Sequence, residues 1–265
     1  MNNRRKAWLT IIGSASFILL IFISKIFITP KPDCNPDVKA KTLIIIDRTE
    51  EVATQTADLI VDRAWDFISN KVKEGEKVSV FSITEGSKKN LKPAFSMCKP
   101  RKNGNRFFEN AKKVNERFKI NFEEPLRLVI SAPIGSENET PLAQGLIDLS
   151  LDDNSFRSSD ISDVLIFSDF LENTSCFSMY KNCLDGQAAI KQFRNCRVGA
   201  VERPKFKNIC IRMNIIPRTN NADITQQTLS CRAMFWNWFF GDSEGNTCVG
   251  EVDNPHIIID YMGGG

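Results

Sequence analysis

A short run of branched apolar residues, followed at once by oxygen-bearing residues, constrains the fold of this chain more than any other feature. Leu43 to Ile46 is apolar throughout, too short to cross a membrane, and rich in β-branched residues. Such a run is typical of a central parallel strand that is covered on both faces. It ends on Asp47, and open α/β sheets bind their ligands at the carboxyl ends of their strands. The sequence therefore predicts an α/β fold with an open, mostly parallel sheet.

Three segments that carry oxygen ligands are predicted to meet at this edge of the sheet. The loop after the first strand carries Asp47, Thr49 and Glu51, Thr140 begins a predicted helix, and Asp169 ends a second apolar strand. Carboxylates and hydroxyls are hard ligands, so the sequence predicts a divalent cation, with Mg²⁺ ahead of Mn²⁺ or Ca²⁺. In the alternative interpretation, the aspartates and threonines only cap helices at strand ends and hold no metal.

This constellation resembles the von Willebrand factor A (vWA) domain. The metal-ion-dependent adhesion site of that family has Asp-x-Ser-x-Ser after the first strand, a Thr before a middle helix and an Asp after a later strand. The resemblance spans roughly residues 41–240 and implies a Rossmann-like sheet with helices on both faces. Carried over by position, it implies the metal ligands Asp47, Thr49, Glu51, Thr140 and Asp169. Glu51 stands where the family usually has Ser, and Phe170 stands where Gly often follows the last Asp.

The amino-terminal region has the composition of a membrane anchor. Residues 1–6 include three cations, and an apolar run extends from Ala7 to Ser24 and resumes after Lys25 through Ile28. At about 1.5 Å per residue, such a run is long enough to cross the hydrocarbon core of a bilayer. We predict a cytoplasmic segment at 1–6, one transmembrane helix at 7–28 and a proline-marked linker at 29–40. The rest of the chain is then predicted to lie on the periplasmic side of the inner membrane.

All eight cysteines follow the predicted anchor, which favours disulfide bonds in an oxidising compartment. Their number leaves the connectivity open, and we predict only one local pair, Cys176 with Cys183. The alternative is a cytosolic domain with reduced thiols. The chain has no Cys-x-x-Cys motif and His256 is its only histidine, which argues against a zinc finger.

The charge of the globular part disfavours nucleic-acid binding. Without five basic residues of the predicted anchor region and linker, 30 basic residues remain against 32 acidic ones, a net charge of −2. Residues 86–127 carry 12 basic and 4 acidic side chains, and residues 136–185 carry 2 basic and 10 acidic ones. The acidic segment contains Thr140 and Asp169, and its field would favour a cation. The basic segment is either a surface for anionic lipid or an acidic partner, or an ordinary solvated face.

Hydrophobic periodicity predicts the remaining secondary structure. Helices are predicted at 52–72, 105–118, 140–149, 186–193 and 225–240, and strands at 77–83, 91–97, 126–131, 163–169 and 209–216. Pro93 places the strand at 91–97 at a sheet margin. A strand-like piece at 257–259 lies in a predicted C-terminal extension, 241–265, outside the vWA-like domain at 41–240. The aromatic cluster from Phe235 to Phe240 is predicted to be core rather than an exposed docking patch.

We predict a binding protein rather than an enzyme. Gly241 to Gly245 matches Gly-x-Ser-x-Gly but follows a predicted helix, whereas a nucleophile elbow follows a strand. The resemblance implies a membrane-anchored module that recognises a partner protein through the cation, whose open coordination position takes a carboxylate from that partner. Two alternatives remain open. One is a structural subunit of an envelope complex with a vestigial metal site, and the other is a hydrolase in which Asp47, Glu51 and Asp169 activate metal-bound water.

Overall fold

The computed structural model describes most of the chain from residue 40 onward. The described residues are 34, 40–88, 91–104, 110–133, 135–151, 161–183, 185–204, 206, 209–218, 225–241, 248 and 257–263. The predicted cytoplasmic segment, the predicted anchor and most of the predicted linker lie outside this set. Within it, no helix combines the length and the apolar character needed to span a bilayer.

Within the described residues, six strands form one sheet in the order β3-β2-β1-β4-β5-β6. The strands are β1 (Lys41–Asp47), β2 (Lys77–Ile83), β3 (Phe95–Cys98), β4 (Ile161–Ser168), β5 (Cys210–Ile215) and β6 (Ile257–Tyr261). Neighbouring strands are parallel except for β2 and β3, which are antiparallel. The predicted α/β class with a mostly parallel sheet is confirmed. Because β2 and β4 flank β1 on opposite sides, the strand order reverses its direction between β1 and β4.

Seven α-helices connect the strands in the described part of the chain. They are α1 (Thr54–Asn70), α2 (Ala111–Phe118), α3 (Glu124–Ile130), α4 (Leu142–Leu151), α5 (Met179–Asn182), α6 (Gly186–Asn195) and α7 (Gln226–Phe240). A π-helical segment, Lys119–Glu123, joins α2 directly to α3. The backbone is therefore helical without interruption from residue 111 to residue 130.

The strand predicted at 126–131 is wrong, because this segment belongs to α3. Leu126 and Ile130 are buried whereas Leu128, which a strand would place on the same face, is 72% exposed. The buried residues thus recur at the helical spacing of four. A short apolar run does not distinguish a strand from a buried helical turn by periodicity alone.

Alternate residues of the central strands face two separate cores. Leu43 and Ile45 of β1 pack with residues of α4, α6 and α7, while Ile44 and Ile46 pack on the other face with residues of α1, α2 and α3. All four side chains are at most 2% exposed. Burial on both faces explains why β1 reads as a continuous apolar run instead of an alternating one.

The aromatic residues of α7 belong to the core, as predicted. Phe235, Trp236 and Phe239 are each at most 1% exposed. The ring of Phe193 from α6 meets Phe235 edge-on, with centroids 5.1 Å apart. The Trp236 indole N–H donates to the carbonyl of Phe170 at 2.7 Å, which ties α7 to the loop after β4.

Four disulfide bonds join the eight cysteines: Cys34–Cys98, Cys176–Cys196, Cys183–Cys231 and Cys210–Cys248. The prediction of disulfide bonds is confirmed, but the predicted pair of Cys176 with Cys183 is wrong. Cys176 bonds to the residue that follows α6, and Cys183 bonds to a residue within α7. Cys176 and Cys183, although close in sequence, thus link the segment after β4 to two different helices.

Both margins of the sheet differ from the predicted boundaries. At one margin, β3 is shorter than the strand predicted at 91–97 and begins after Pro93, which cannot donate to a ladder. At the other margin, β6 pairs in parallel with β5, so Ile257 lies beside Ile211. Part of the predicted C-terminal extension is therefore a strand of the same sheet.

Candidate functional site

The candidate site lies where β1 and β4 end side by side at the centre of the sheet. Ile46 of β1 is in register with Phe167 of β4, so the residues that follow them emerge at the same edge. Among these residues are Asp47 and Asp169, whose exposed fractions are only 7% and 9%. This is the point at which the strand order reverses, where open α/β sheets form a crevice for ligands.

Three of the five predicted ligands are joined by hydrogen bonds. The Thr49 hydroxyl lies 2.7 Å from Asp47 Oδ1 and 2.6 Å from the Thr140 hydroxyl. The Thr49 backbone N–H also donates to Asp47 Oδ1, at 3.1 Å. The Ser168 hydroxyl donates to the other carboxylate oxygen, Asp47 Oδ2, at 2.6 Å. These bonds fix the orientation of the Asp47 carboxylate, because both of its oxygens are held.

Asp169, the fourth predicted ligand, faces a second group of polar side chains. Its Oδ2 atom lies 3.5 Å from the Tyr180 hydroxyl and 3.5 Å from Arg218 Nε. Arg218 Nε lies only 2.6 Å from Glu50 Oε2, and the Tyr180 hydroxyl donates to Glu50 Oε1 at 2.9 Å. The Arg218 guanidinium also contacts the Tyr180 hydroxyl. A single arginine therefore serves two carboxylates at this side of the site.

A small cavity lies between the two groups. Its volume is about 20 Å³, and its lining includes Asp47, Glu51, Asp169 and Arg218. A space of this size admits one water-sized particle. Glu51, the fifth predicted ligand, lines the cavity from the solvent side and is exposed. The lining does not include the two threonines, which reach the cavity only through the Asp47 carboxylate.

Burial makes the charged forms of both aspartates costly. Desolvation raises the pKa of Asp47, and the hydrogen bonds from Ser168 and Thr49 offset this effect only in part. Desolvation also raises the pKa of Asp169 well above its usual range, and the nearby charges of Glu50 and Asp47 raise it further. A positive charge placed between the aspartates would act in the opposite direction and favour both carboxylates in their ionised form.

Arg48, between Asp47 and Thr49 in sequence, points away from the cavity and holds the end of α3. Its Nη2 atom donates to the carbonyls of Val129 and Ile130, at 2.7 and 3.1 Å. Its Nη1 atom donates to the carbonyl of Ala132, and its Nε atom donates to the Ser82 hydroxyl at 2.9 Å. Arg48 is 6% exposed. A cation at this place satisfies the C-terminal carbonyls of a helix and complements its dipole.

The same loop holds the segment that leads to Thr140. The backbone N–H of Gly135 donates to the Arg48 carbonyl at 3.1 Å, and that of Glu137 donates to the Thr49 carbonyl at 2.8 Å. Thr140 itself forms a bridge with Asn173, with N–H to O distances of 2.6 and 3.1 Å. The position of the Thr140 hydroxyl is therefore set by backbone bonds to the loops after both β1 and β4.

The backbone turns sharply after Asp169. Phe170 has a φ angle of +59°, in the left-handed region that glycine enters most readily. Its side chain is fully buried and meets the Trp236 ring edge-on, with centroids 5.4 Å apart. The Phe170 backbone N–H donates to the Ser168 hydroxyl at 2.9 Å. Packing and hydrogen bonding thus hold a turn that a glycine would adopt without strain.

Sequence reasoning missed four residues of the site: Glu50, Ser168, Tyr180 and Arg218. Ser168 and Glu50 are chain neighbours of predicted ligands, so the signal for them was present. Arg218 follows β5, the next strand along the sheet, and the rule that located Asp169 applies equally to it. No sequence signal indicated Tyr180, because it reaches the site from the short helix α5.

Comparisons with known proteins leave the family of this chain open. No protein-family model matches the chain, and a search of curated proteins found no match. Inferences about function therefore depend on the geometry described above.

Proposed function

We propose that the chain is a membrane-anchored, vWA-like protein-binding module that recognises a partner protein through a divalent cation at the ends of β1 and β4. One observation carries this proposal. Asp47 faces Asp169 across a small cavity, at the point where the strand order reverses, and its carboxylate is held by the Thr49 hydroxyl, which also contacts that of Thr140. The mostly parallel sheet with packed helices on both faces supports the vWA-like fold.

The donor set fits a hard cation in its chemistry. Asp47 and Asp169 offer carboxylate oxygens, and Thr49 and Thr140 offer hydroxyls, which are the ligands that Mg²⁺ and Mn²⁺ prefer. In the part of the chain that the structure describes, no group of three or more His, Cys, Asp or Glu side chains is arranged to hold a metal ion. Asp47 and Asp169 line the cavity, whereas the two threonine hydroxyls bond to each other behind Asp47 and would join the donor set only by turning toward the ion. A bound ion would neutralise the buried aspartates and attract a carboxylate of the partner.

The residues around the donor set have roles of their own. Ser168 holds Asp47 Oδ2, and Thr49 holds Asp47 Oδ1, so the carboxylate is oriented before any ligand arrives. The side chain of Arg218 is 22% exposed. It is therefore placed to donate a hydrogen bond to an incoming carboxylate at the rim of the cavity.

Arg218 also favours a second candidate function. Its guanidinium contacts Glu50 and Asp169 at once, and so already supplies a positive charge at this side of the cavity. In this case the metal site is vestigial, and the chain is a structural subunit of an envelope complex that acts by shape alone. No contact among the described residues favours the hydrolase alternative over these two.

Calorimetric titration of the full chain in detergent with Mg²⁺, and spectroscopic titration with Mn²⁺, would test the proposal. We expect one bound ion for the wild type and none for Asp47→Asn. Asp66→Asn is the matched control. Asp66 is an exposed carboxylate in the last turns of α1, whereas the first turn of that helix follows the loop that carries Asp47. This variant should bind like the wild type.

Arg218→Gln separates the two candidate functions. If the site is a working metal site, the wild type binds Mg²⁺ and Arg218→Gln binds it with equal or greater affinity. If Arg218 replaces the ion, the wild type shows no binding and only the variant acquires it. Absence of binding in both proteins would refute the metal proposal.

A further inference from the structure

The chain enters the described domain at Cys34, and the bond to Cys98 fixes this entry point at one edge of the sheet. Cys98 lies opposite Lys77 in the ladder of β3 and β2, and Lys77 lies opposite Lys41 in the ladder of β2 and β1. These residues mark the amino ends of the parallel strands. The candidate site begins at Asp47, at the other end of β1.

The long helical segment 111–130 runs from the entry edge to the site edge. Its last residue, Ile130, lies at the site edge, where its carbonyl accepts from Arg48. Twenty helical residues extend about 30 Å, whereas the seven residues of β1 extend only about 20 Å. The first turns of α2 must therefore lie at the entry edge or beyond it.

Two side-chain contacts support this direction. The Phe122 ring lies 5.8 Å from the ring of Phe95, which pairs with Val80, midway along the neighbouring strand β2. One helical turn earlier, the Phe118 ring lies 5.9 Å from Nζ of Lys102, only four residues after Cys98. The contacts of the helix thus move toward the entry edge as its residue numbers fall.

The end of the helix near the entry edge is basic. Lys112, Lys113, Arg117 and Lys119 are all exposed, and Glu116 is the one acidic residue among residues 111–119. We call these four cations the basic end. The Asn110 side chain accepts from the backbone N–H groups of Lys112 and Lys113, so the helix that presents the basic end begins at a defined cap.

We propose that the basic end docks on the anionic headgroups of the membrane into which the chain is anchored. Only five residues lie between Ile28, the end of the predicted anchor, and Cys34, so the two Cα atoms can be at most about 22 Å apart when the segment is fully extended. The disulfide bond therefore limits how far the entry edge can lie from the bilayer. Clusters of Lys and Arg close to a membrane surface are attracted by anionic lipids. This inference rests on the membrane-anchored part of the proposed function and not on its cation.

The consequence is a fixed orientation of the described domain. With the entry edge on the headgroups, the opposite edge of the sheet, which carries Asp47 and Asp169, faces away from the bilayer. The site is then presented to a partner in the aqueous compartment, and the acidic segment around it is kept away from the anionic lipid.

The full chain can be reconstituted into nanodiscs of phosphatidylcholine alone or mixed with phosphatidylglycerol, and its lysines acylated with a water-soluble reagent. Mass spectrometry then gives the rate for each lysine. We expect Lys112, Lys113 and Lys119 to react at least about threefold more slowly in the anionic discs, and the difference to shrink as salt is raised. Lys191 is the internal control, because it is exposed on α6 at the opposite face of the sheet. Its rate should not depend on the lipid.

A charge-reversal variant provides the second measurement. In the triple variant Lys112→Glu, Lys113→Glu, Arg117→Glu, Lys119 remains as a reporter, and its rate should lose its dependence on lipid composition. The variant Lys191→Glu should behave like the wild type. Intact disulfide bonds and an unchanged unfolding transition show that each variant is folded.

The outcomes distinguish the two levels of the argument. A chain that enters the discs but reacts equally in both lipids overturns this inference alone. The lysines of the basic end could instead react more slowly in native membranes than in discs of either lipid composition, with no difference between the two kinds of disc. That result also overturns the inference and indicates an acidic protein partner. A chain that does not enter the discs overturns the anchor of the proposed function together with this inference.

Discussion

Replacement of Arg48 by methionine should destabilise the domain far more than the loss of an ordinary surface arginine. The guanidinium is buried and donates to three main-chain carbonyls and one hydroxyl, while the methionine side chain fills similar space and donates none. The substitution removes the Arg48 donors from the carbonyls of Val129, Ile130 and Ala132, and among these only the Val129 carbonyl keeps another bond to a described residue, a long one from the Ala132 N–H at 3.4 Å. Unsatisfied buried acceptors are costly because they lose water without gaining a replacement.

The magnitude follows from these three carbonyls. A buried acceptor that loses its partner costs about 1 to 3 kcal/mol. A cavity of about 290 Å³, lined in part by Ile130 and Ala132, lies beside the end of α3 and gives water access to it. The lower value therefore applies to Ile130 and Ala132, the Val129 carbonyl loses less because it keeps the Ala132 N–H, and the total is about 2 to 3 kcal/mol. For a domain of this size, the expected fall in Tm is about 4 to 12 °C.

Arg63→Met is the matched control. Arg63 lies 2.7 Å from Asp260 in an ion pair whose side chains are 49% and 39% exposed. Such exposed pairs contribute less than about 1 kcal/mol, so the control should lose little stability. Urea unfolding of both variants with disulfide bonds intact, followed by circular dichroism, measures the difference. Equal losses of unfolding free energy for Arg48→Met and Arg63→Met would show that the bonds from Arg48 to the end of α3 do not stabilise the domain.

Two further predictions concern the loop after β4. Burial raises the pKa of Glu172 to about 8, so the folded state binds this proton more tightly than the unfolded state does. The free energy of unfolding of the wild type should therefore decrease as the pH rises from about 5 to about 8. The side chain in Glu172→Gln can still accept from the Ala143 N–H, but it has no proton to lose. Urea unfolding at several pH values should therefore show a weaker pH dependence of stability for this variant, and an unchanged pH dependence would contradict the prediction. Both Phe170→Ala and Phe170→Gly lose the buried ring at a cost of about 3 to 5 kcal/mol. The glycine variant should nevertheless be the more stable by about 1 kcal/mol, because only glycine relieves the left-handed backbone, and the reverse order in thermal unfolding would exclude strain.

The central strands could be predicted from sequence because their residues are buried on both faces. The strand predicted at 77–83 has the observed bounds of β2, and β1 and β4 were located within a few residues. The segment 126–131 could not be assigned in this way, since its few apolar residues fit either period. The pairing of Cys176 and Cys183 also depends on which helices pack beside the loop, and spacing along the chain does not contain that information.

Part of the candidate site could be predicted for the same topological reason. Parallel strands expose their carboxyl ends at one edge, so the sequence alone predicts that Asp47 and Asp169 approach each other. The directions of successive side chains in the loop after β1 could not be predicted. Asp47 bonds to Thr49 and Thr49 bonds to Thr140, while the side chain of Arg48 contacts α3 and that of Glu50 contacts Arg218. Every second residue therefore builds the frame of the site rather than its donor set.

The charge balance of the site bears on which candidate function is correct. Asp47, Glu50 and Asp169 bring three carboxylates together, and Arg218 contributes the one cationic side chain that contacts them in the described part of the chain. With all three ionised, the group carries a net charge of −2 in a largely buried place. One arginine does not balance this charge, and the raised pKa of Asp47 and of Asp169 shows that burial and the neighbouring carboxylates make their ionised forms costly. A divalent cation between the aspartates would act against this effect and favour their ionised forms, which is the electrostatic argument for the metal site that we propose.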